Sequence, residues 1–158
     1  MIYWFTGQPH AGKTTLAKYL KTALTFKEPL KEVRLVDGDD LRRILDNKDY
    51  SEQGRRTNIS QAIAIAKYLT HLNCDVIVSL VSPYKDLRDE LKASSDVIEI
   101  YVHTKDIRGR EAFHVTDYQP PTENFIEIDT TAIDELISLN ELLGKIETLS
   151  NNKKWKKN

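Results

Sequence analysis

An α/β sandwich around a five-stranded, mainly parallel sheet is the fold this 158-residue chain predicts. Three observations predict it. Short apolar runs alternate with segments whose apolar residues recur every three or four positions. The most apolar run, DVIVSLV at 75–81, is continuous rather than alternating, as in a strand covered on both faces. Polar residues follow the runs, and an open parallel sheet binds its ligands beyond the carboxyl ends of its strands.

The elements follow in order. IYWFT (2–6) is stopped by Gly7 and reads as a buried strand. From 13 to 25, Leu16, Leu20 and Leu24 recur every four residues beside Ala17 and Ala23, which predicts a helix. VRLVD (33–37) is a second strand, and Asp39 to Asn47 a short helix with Leu41, Ile44 and Leu45 on one side. A longer helix starts at Ser51 or Thr57 and carries Ile59, Ala62, Ile63, Ala66 and Leu69. Residues 75–81 form a central third strand, and Pro83 suits the first turn of a helix reaching Ala93. VIEIYV (97–102) is the fourth strand. Residues 105–121 lack periodicity, close on Pro120–Pro121, and are expected to be a loop or lid. NFIEID (124–129) is the fifth strand, and Thr130 or Thr131 caps a last helix carrying Ile133, Leu136, Ile137, Leu143, Ile146 and Leu149.

One domain over 1–150 is expected, with a frayed, basic tail at 151–158 that includes Trp155. A formal net charge of −1 calls for neither nucleic acid nor an anionic membrane as partner, and no run approaches membrane-spanning length. A single cysteine, Cys74, excludes an intramolecular disulfide and fits a cytoplasmic location. Cys74 reads as a packing residue, and His71 and His103 lack the company of metal ligands.

Gly7-Gln8-Pro9-His10-Ala11-Gly12-Lys13-Thr14 fits G-x-x-x-x-G-K-[ST] in full, between a strand and a helix, and Thr15 follows it. Backbone N–H groups can surround phosphate oxygens only if such a loop wraps tightly. Glycine permits the dihedrals and leaves no Cβ in the path. The helix N-terminus adds partial positive charge. A nucleoside triphosphate is therefore expected here, with Lys13 on the β- and γ-phosphates and the Thr14 hydroxyl on Mg²⁺. His10 is read as a spacer. In LVDGDDLRR, Asp37 and Asp39 flank a glycine at the edge of the second strand. Either could accept a proton from an attacking hydroxyl or hold Mg²⁺ through water, and Asp39 could instead be a helix N-cap. Arg42, Arg55 and Arg56 cluster in sequence with Tyr50 and Asn58, as an oxyanion and base site or as a solvated basic face. Ser82 stands at the third strand's edge and could be only an N-cap.

WFTG…GKTT, DGDDLR, DYSEQGRRTNI and SLVSPYKDLRDE together resemble the adenosine 5′-phosphosulfate kinase family, in its order and spacing, and DYQPPTENFIEIDTT resembles its closing segment. The resemblance implies a P-loop kinase-type sandwich that transfers the γ-phosphoryl of ATP to the ribose 3′-hydroxyl of adenosine 5′-phosphosulfate. It implies Asp39 as the catalytic carboxylate, supported by Asp37. Arg42, Arg55 and Asn58 would hold the acceptor's phosphosulfate, Tyr50 and Phe113 would sandwich its base, and Val81 would pack nearby. Ser82 falls where a phosphoserine intermediate has been proposed for the family, although direct in-line transfer needs no covalent enzyme. A homodimer is implied by the same analogy. The chain departs from the family in the lid, where only EAFHVTDY follows YVHTKDIRGR, and Arg108 or Arg110 is left to touch ATP. A related kinase acting on cytidine diphosphoramidate therefore stays open. So does a nucleotide-binding switch without an acceptor, in which the arginine cluster would have no task.

Overall fold

The computed structural model describes residues 1–106 and 114–151. Five strands, β1 (Ile2–Thr6), β2 (Val33–Asp37), β3 (Asp75–Ser79), β4 (Val97–His103) and β5 (Phe125–Asp129), form one sheet in the order β2-β3-β1-β4-β5. Every neighbouring pair is parallel. β3 pairs on both sides, as its apolar run predicts, but β1 holds the middle of the sheet. The order of pairing reverses beside β1, so the loop after β1 opens at a topological switch point.

The helices are α1 (Lys13–Lys27), α2 (Gly38–Ile44), α3 (Glu52–His71), α4 (Lys85–Ser94) and α5 (Glu135–Asn151). The alternating side chains of β1 divide the core. Tyr3 and Phe5 join Leu16, Leu20, Leu142 and Ile146 on one face, while Ile2 and Trp4 join Leu41, Ile59, Ala62 and Leu91 on the other. Helices thus cover both faces and leave the carboxyl edge of the sheet for polar residues.

Several boundaries differ from the sequence reading for local reasons. The short helix is capped by Asp37, whose Oδ1 accepts from the Asp39 and Asp40 amides, so Asp39 lies inside the first turn and is not the cap. The longer helix starts from Ser51, whose hydroxyl accepts from Gly54 N. Pro83 stands outside α4, which begins at Lys85 after Tyr84 as N-cap, so Ser82 caps nothing. The last helix begins at Glu135. Thr130 and Thr131 are committed elsewhere, Thr130 Oγ1 donating to Ala11 O and Thr131 Oγ1 to Asp129 Oδ1. Part of the expected 105–121 lid, with Arg108, Arg110 and Phe113, and most of the tail, including Trp155, lie outside the described residues.

Candidate active site

The loop 7–12 is held open by contacts that the motif does not display. Gly7 has φ +144°, and a Cβ there would stand 2.0 Å from Val102 O, so the carbonyl of β4 excludes a side chain at this position. Gly12 caps α1 with φ +90°, a dihedral that favours glycine, and a Cβ there would meet no protein atom closer than 3.7 Å. Gly7 N donates to Val81 O, and Thr6 Oγ1 donates to the same carbonyl, which pins the phosphate loop to the end of β3.

Lys13 opens α1 and lies 7% exposed, its Nζ donating to Gln8 O at 2.7 Å. Burial lowers its pKa to about 8, against the opposing charges of Asp39 and Asp37. Thr14 Oγ1 donates to Asp37 Oδ2 at 2.9 Å and lies 3.2 Å from Ser79 Oγ. Three hard oxygen donors from α1, β2 and β3 therefore meet at one point. Ser79 was not singled out from sequence. Only its register, opposite Asp37 on β2 and Phe5 on β1, places it here.

These groups line one cleft of about 790 Å³, which also takes in Pro9, His10, Gly12 and Thr15. Gly7, Gln8 and Ala11 are not on its wall. The Gln8 side chain points away, pairing through both amide atoms with the backbone of Val115. Asp39 lines the cleft, and among the described residues nothing donates a hydrogen bond to its carboxylate. Asp37 is fully engaged as a cap and a partner of Thr14, whereas Asp39 faces the cleft unencumbered.

The rest of the cleft lining, the wall expected for the acceptor, gathers Arg42, Tyr50, Arg55, Asn58, Val81 and Ser82, all expected from sequence, with Ile59, Leu80, Pro83 and His114 in addition. Arg42 uses Nη1 to bind Asn47 O, Asn47 Oδ1 and Asp49 O, and its guanidinium lies 4.4 Å from the centroid of the Tyr50 ring. Arg55 Nε donates to Tyr50 O. Asn58 is buried, its Nδ2 donating to Gly38 O at 3.5 Å while its Oδ1 has no partner among the described residues. Ser82 is buried with φ +45°, and its Oγ also lacks a partner there. Two buried polar atoms without protein partners, both on the cleft wall, are the kind a bound molecule satisfies. Arg56 turns elsewhere, to Glu52 and Asp86 and over the Tyr84 ring.

Among α/β folds this arrangement is that of the P-loop phosphotransferases: main-chain amides at a helix N-terminus receive a triphosphate, and acid and guanidinium groups face it across the same cleft. Comparison with known proteins narrows the class. The family model described as adenylylsulphate kinase matches residues 1–112. The adenylyl-sulfate kinase of Pseudomonas aeruginosa is 32% identical over 169 aligned residues, covering 93% of this chain and 85% of its own length. That of Chloroflexus aurantiacus is also 32% identical, covering 94% and 90%. The APS kinase of Mycobacterium tuberculosis, solved in complex with AMPPNP and APS, superposes with a TM-score of 0.78 at 20% identity, over 92% of this chain and 96% of that one, which is a likeness of fold. The hexameric APS kinase from Thiobacillus denitrificans gives 0.74 at 27% identity, over 93% of this chain and 29% of that one. This chain belongs to the adenylylsulphate kinase family.

Proposed function

We propose that this protein transfers the γ-phosphoryl group of ATP to the ribose 3′-hydroxyl of adenosine 5′-phosphosulfate. The observation that carries the reading is the convergence of Arg42, Arg55, Asn58 and Tyr50 with Lys13 on one cleft, in a chain of this family. Phosphoryl transfer asks the protein for positioning and charge neutralisation. Lys13 leaves the Gln8 carbonyl to meet the β- and γ-phosphates, and the amides of Gly12 to Thr15, at the N-terminus of α1, face their oxygens. Asp39 accepts the proton of the attacking hydroxyl. Arg42 and Arg55 balance the acceptor's phosphosulfate, Asn58 Oδ1 accepts from a hydroxyl or amino group of the nucleotide, Ser82 Oγ donates to one of its oxygens, and Tyr50 stacks on its base. Ser82 contributes a hydrogen bond and no covalent step.

Mg²⁺ fits the donor set, since hydroxyl and carboxylate oxygens are the ligands a hard cation takes. Thr14 with Asp37 would hold it, directly or through water, with Ser79 beside them. Its chemistry there is neutralisation of phosphate charge.

Two further parts of the proposal concern the protein's setting. Assembly as a homodimer follows from the family resemblance, and one relative is described as hexameric. A cytoplasmic location is part of the proposal, and Cys74, a free and buried thiol, fits it. Among the described residues no helix is long and apolar enough to cross a membrane.

Cytidine diphosphoramidate stays as a second acceptor for one reason. The family match ends at residue 112, inside the stretch where Phe113 would face the acceptor base. Initial rates with ATP and each acceptor decide between them. The proposal expects kcat/KM for adenosine 5′-phosphosulfate to exceed that for cytidine diphosphoramidate by at least about 10²-fold, the discrimination that polar recognition of one acceptor readily supplies. The reverse ranking would transfer the assignment to the second acceptor. ATP hydrolysis without either product would favour an acceptor-free switch.

A further inference from the structure

We propose that Gln8 is a positioning residue that ties the phosphate loop to the acceptor wall through a strap at 115–119, so that the two substrate sites are set together. Gln8 belongs to the nucleotide loop by sequence, yet its side chain does not line the cleft. Its Nε2 donates to Val115 O at 2.9 Å, and its Oε1 accepts from Val115 N at 2.9 Å. A side-chain amide thereby engages both polar groups of one backbone residue, as a neighbouring strand would, and Val115 is itself buried at 4% exposure.

From Val115 the contacts run to the acceptor wall. Tyr118 N donates to Val115 O and closes the strap as a turn. The Tyr118 hydroxyl lies 2.9 Å from Thr6 Oγ1, which itself donates to Val81 O. Gln119 N donates to Pro83 O, and its Oε1 accepts from Lys85 N. The buried guanidinium of Arg88 donates to Gln119 O and to Ser82 O, both at 2.5 Å, and is held by Glu99 Oε1 at 2.7 Å. Ser82 and Val81 form the wall, and Ser82 keeps φ +45° within this frame. On the other side, Gln8 O is the resting place of Lys13 Nζ. The residue that receives the phosphate lysine and the residues that shape the acceptor wall are thus joined by hydrogen bonds at each end of a five-residue turn.

The inference rests on the two-substrate reading above, and its test separates the two. In Gln8→Met, a near-isosteric side chain without the amide, the KM for adenosine 5′-phosphosulfate should rise about three- to tenfold although Gln8 does not face the acceptor. In Gln119→Ala the KM for ATP should rise comparably, and the double variant should fall short of the product of the two effects. An unchanged acceptor KM in Gln8→Met, with the fold intact by circular dichroism, overturns the proposal. A second readout needs neither variants nor turnover. In the wild-type protein, AMPPNP should slow hydrogen exchange at the amides of Gln119 and Lys85 as well as in the phosphate loop. Protection confined to the loop overturns the coupling even if the enzyme proves to use another acceptor. A wild type that does not turn over adenosine 5′-phosphosulfate, yet shows the distant protection, overturns the acceptor assignment and upholds the strap.

Discussion

At the residue scale, Lys13 concentrates the electrostatics of the site. Its pKa of about 8 lies below the ordinary 10.5 because burial disfavours the ammonium more than Asp39 and Asp37 favour it. Between those two values the unfolded chain binds more protons than the folded one. The lysine's contribution to stability therefore rises with pH across that window and is a constant penalty below it. Phosphate binding has the opposite sign, since it favours the charged form. AMPPNP affinity should fall about tenfold or more from pH 7 to pH 9.5, and calorimetric titration of Lys13→Met should show no such fall. Asp39 and Asp37 separate in the same manner. Asp37 is the helix cap, so Asp39→Asn should leave urea stability within about 1 kcal/mol and AMPPNP affinity intact while kcat drops at least ~10²-fold. Unfolding in place of lost turnover would return Asp39 to a capping role. The phosphate loop was legible because its residues are contiguous and their spacing has a physical cause. Ser79 and the pairing of Gln8 with Val115 were not, because only strand register and chain return bring those groups together.

At the element scale, the pattern of strands and helices was legible from apolar periodicity, and the boundaries were governed by local polar bonds. Asp37, Ser51, Thr130 and Thr131 are all residues with good capping chemistry. Two of them cap helices, while Thr130 and Thr131 serve the phosphate loop and the β5 turn. Sequence alone does not rank those uses. Glycine shows the same dependence on context. Gly7→Ala sets a methyl against the Val102 carbonyl in a strained φ, and should cost about 2–4 kcal/mol by chemical denaturation and remove nucleotide binding. Gly144 lies inside α5 with open space where its Cβ would be, so Gly144→Ala should raise stability by about 0.5–1 kcal/mol without changing activity.

At the scale of the whole molecule, function follows from sheet order. Because β1 lies between β3 and β4, the phosphate loop, the Asp37–Asp39 turn and the 79–82 edge open into the same cleft. Behind the acceptor wall, Glu99 binds both Arg88 and Lys92, a buried pair and its partly buried neighbour. Removing one member leaves an uncompensated buried charge and should destabilise the fold by about 3–5 kcal/mol. Arg88 stands in the segment DLRDE, but its burial against Glu99 of β4 required the fold. The measurement that tests the central claim most directly follows the γ-phosphoryl group itself. Labelled ATP offered with adenosine 5′-phosphosulfate should place the label on the ribose 3′-hydroxyl with the wild type and not with Lys13→Ala. Label recovered only as inorganic phosphate, or an undiminished product with Lys13→Ala, would contradict the account.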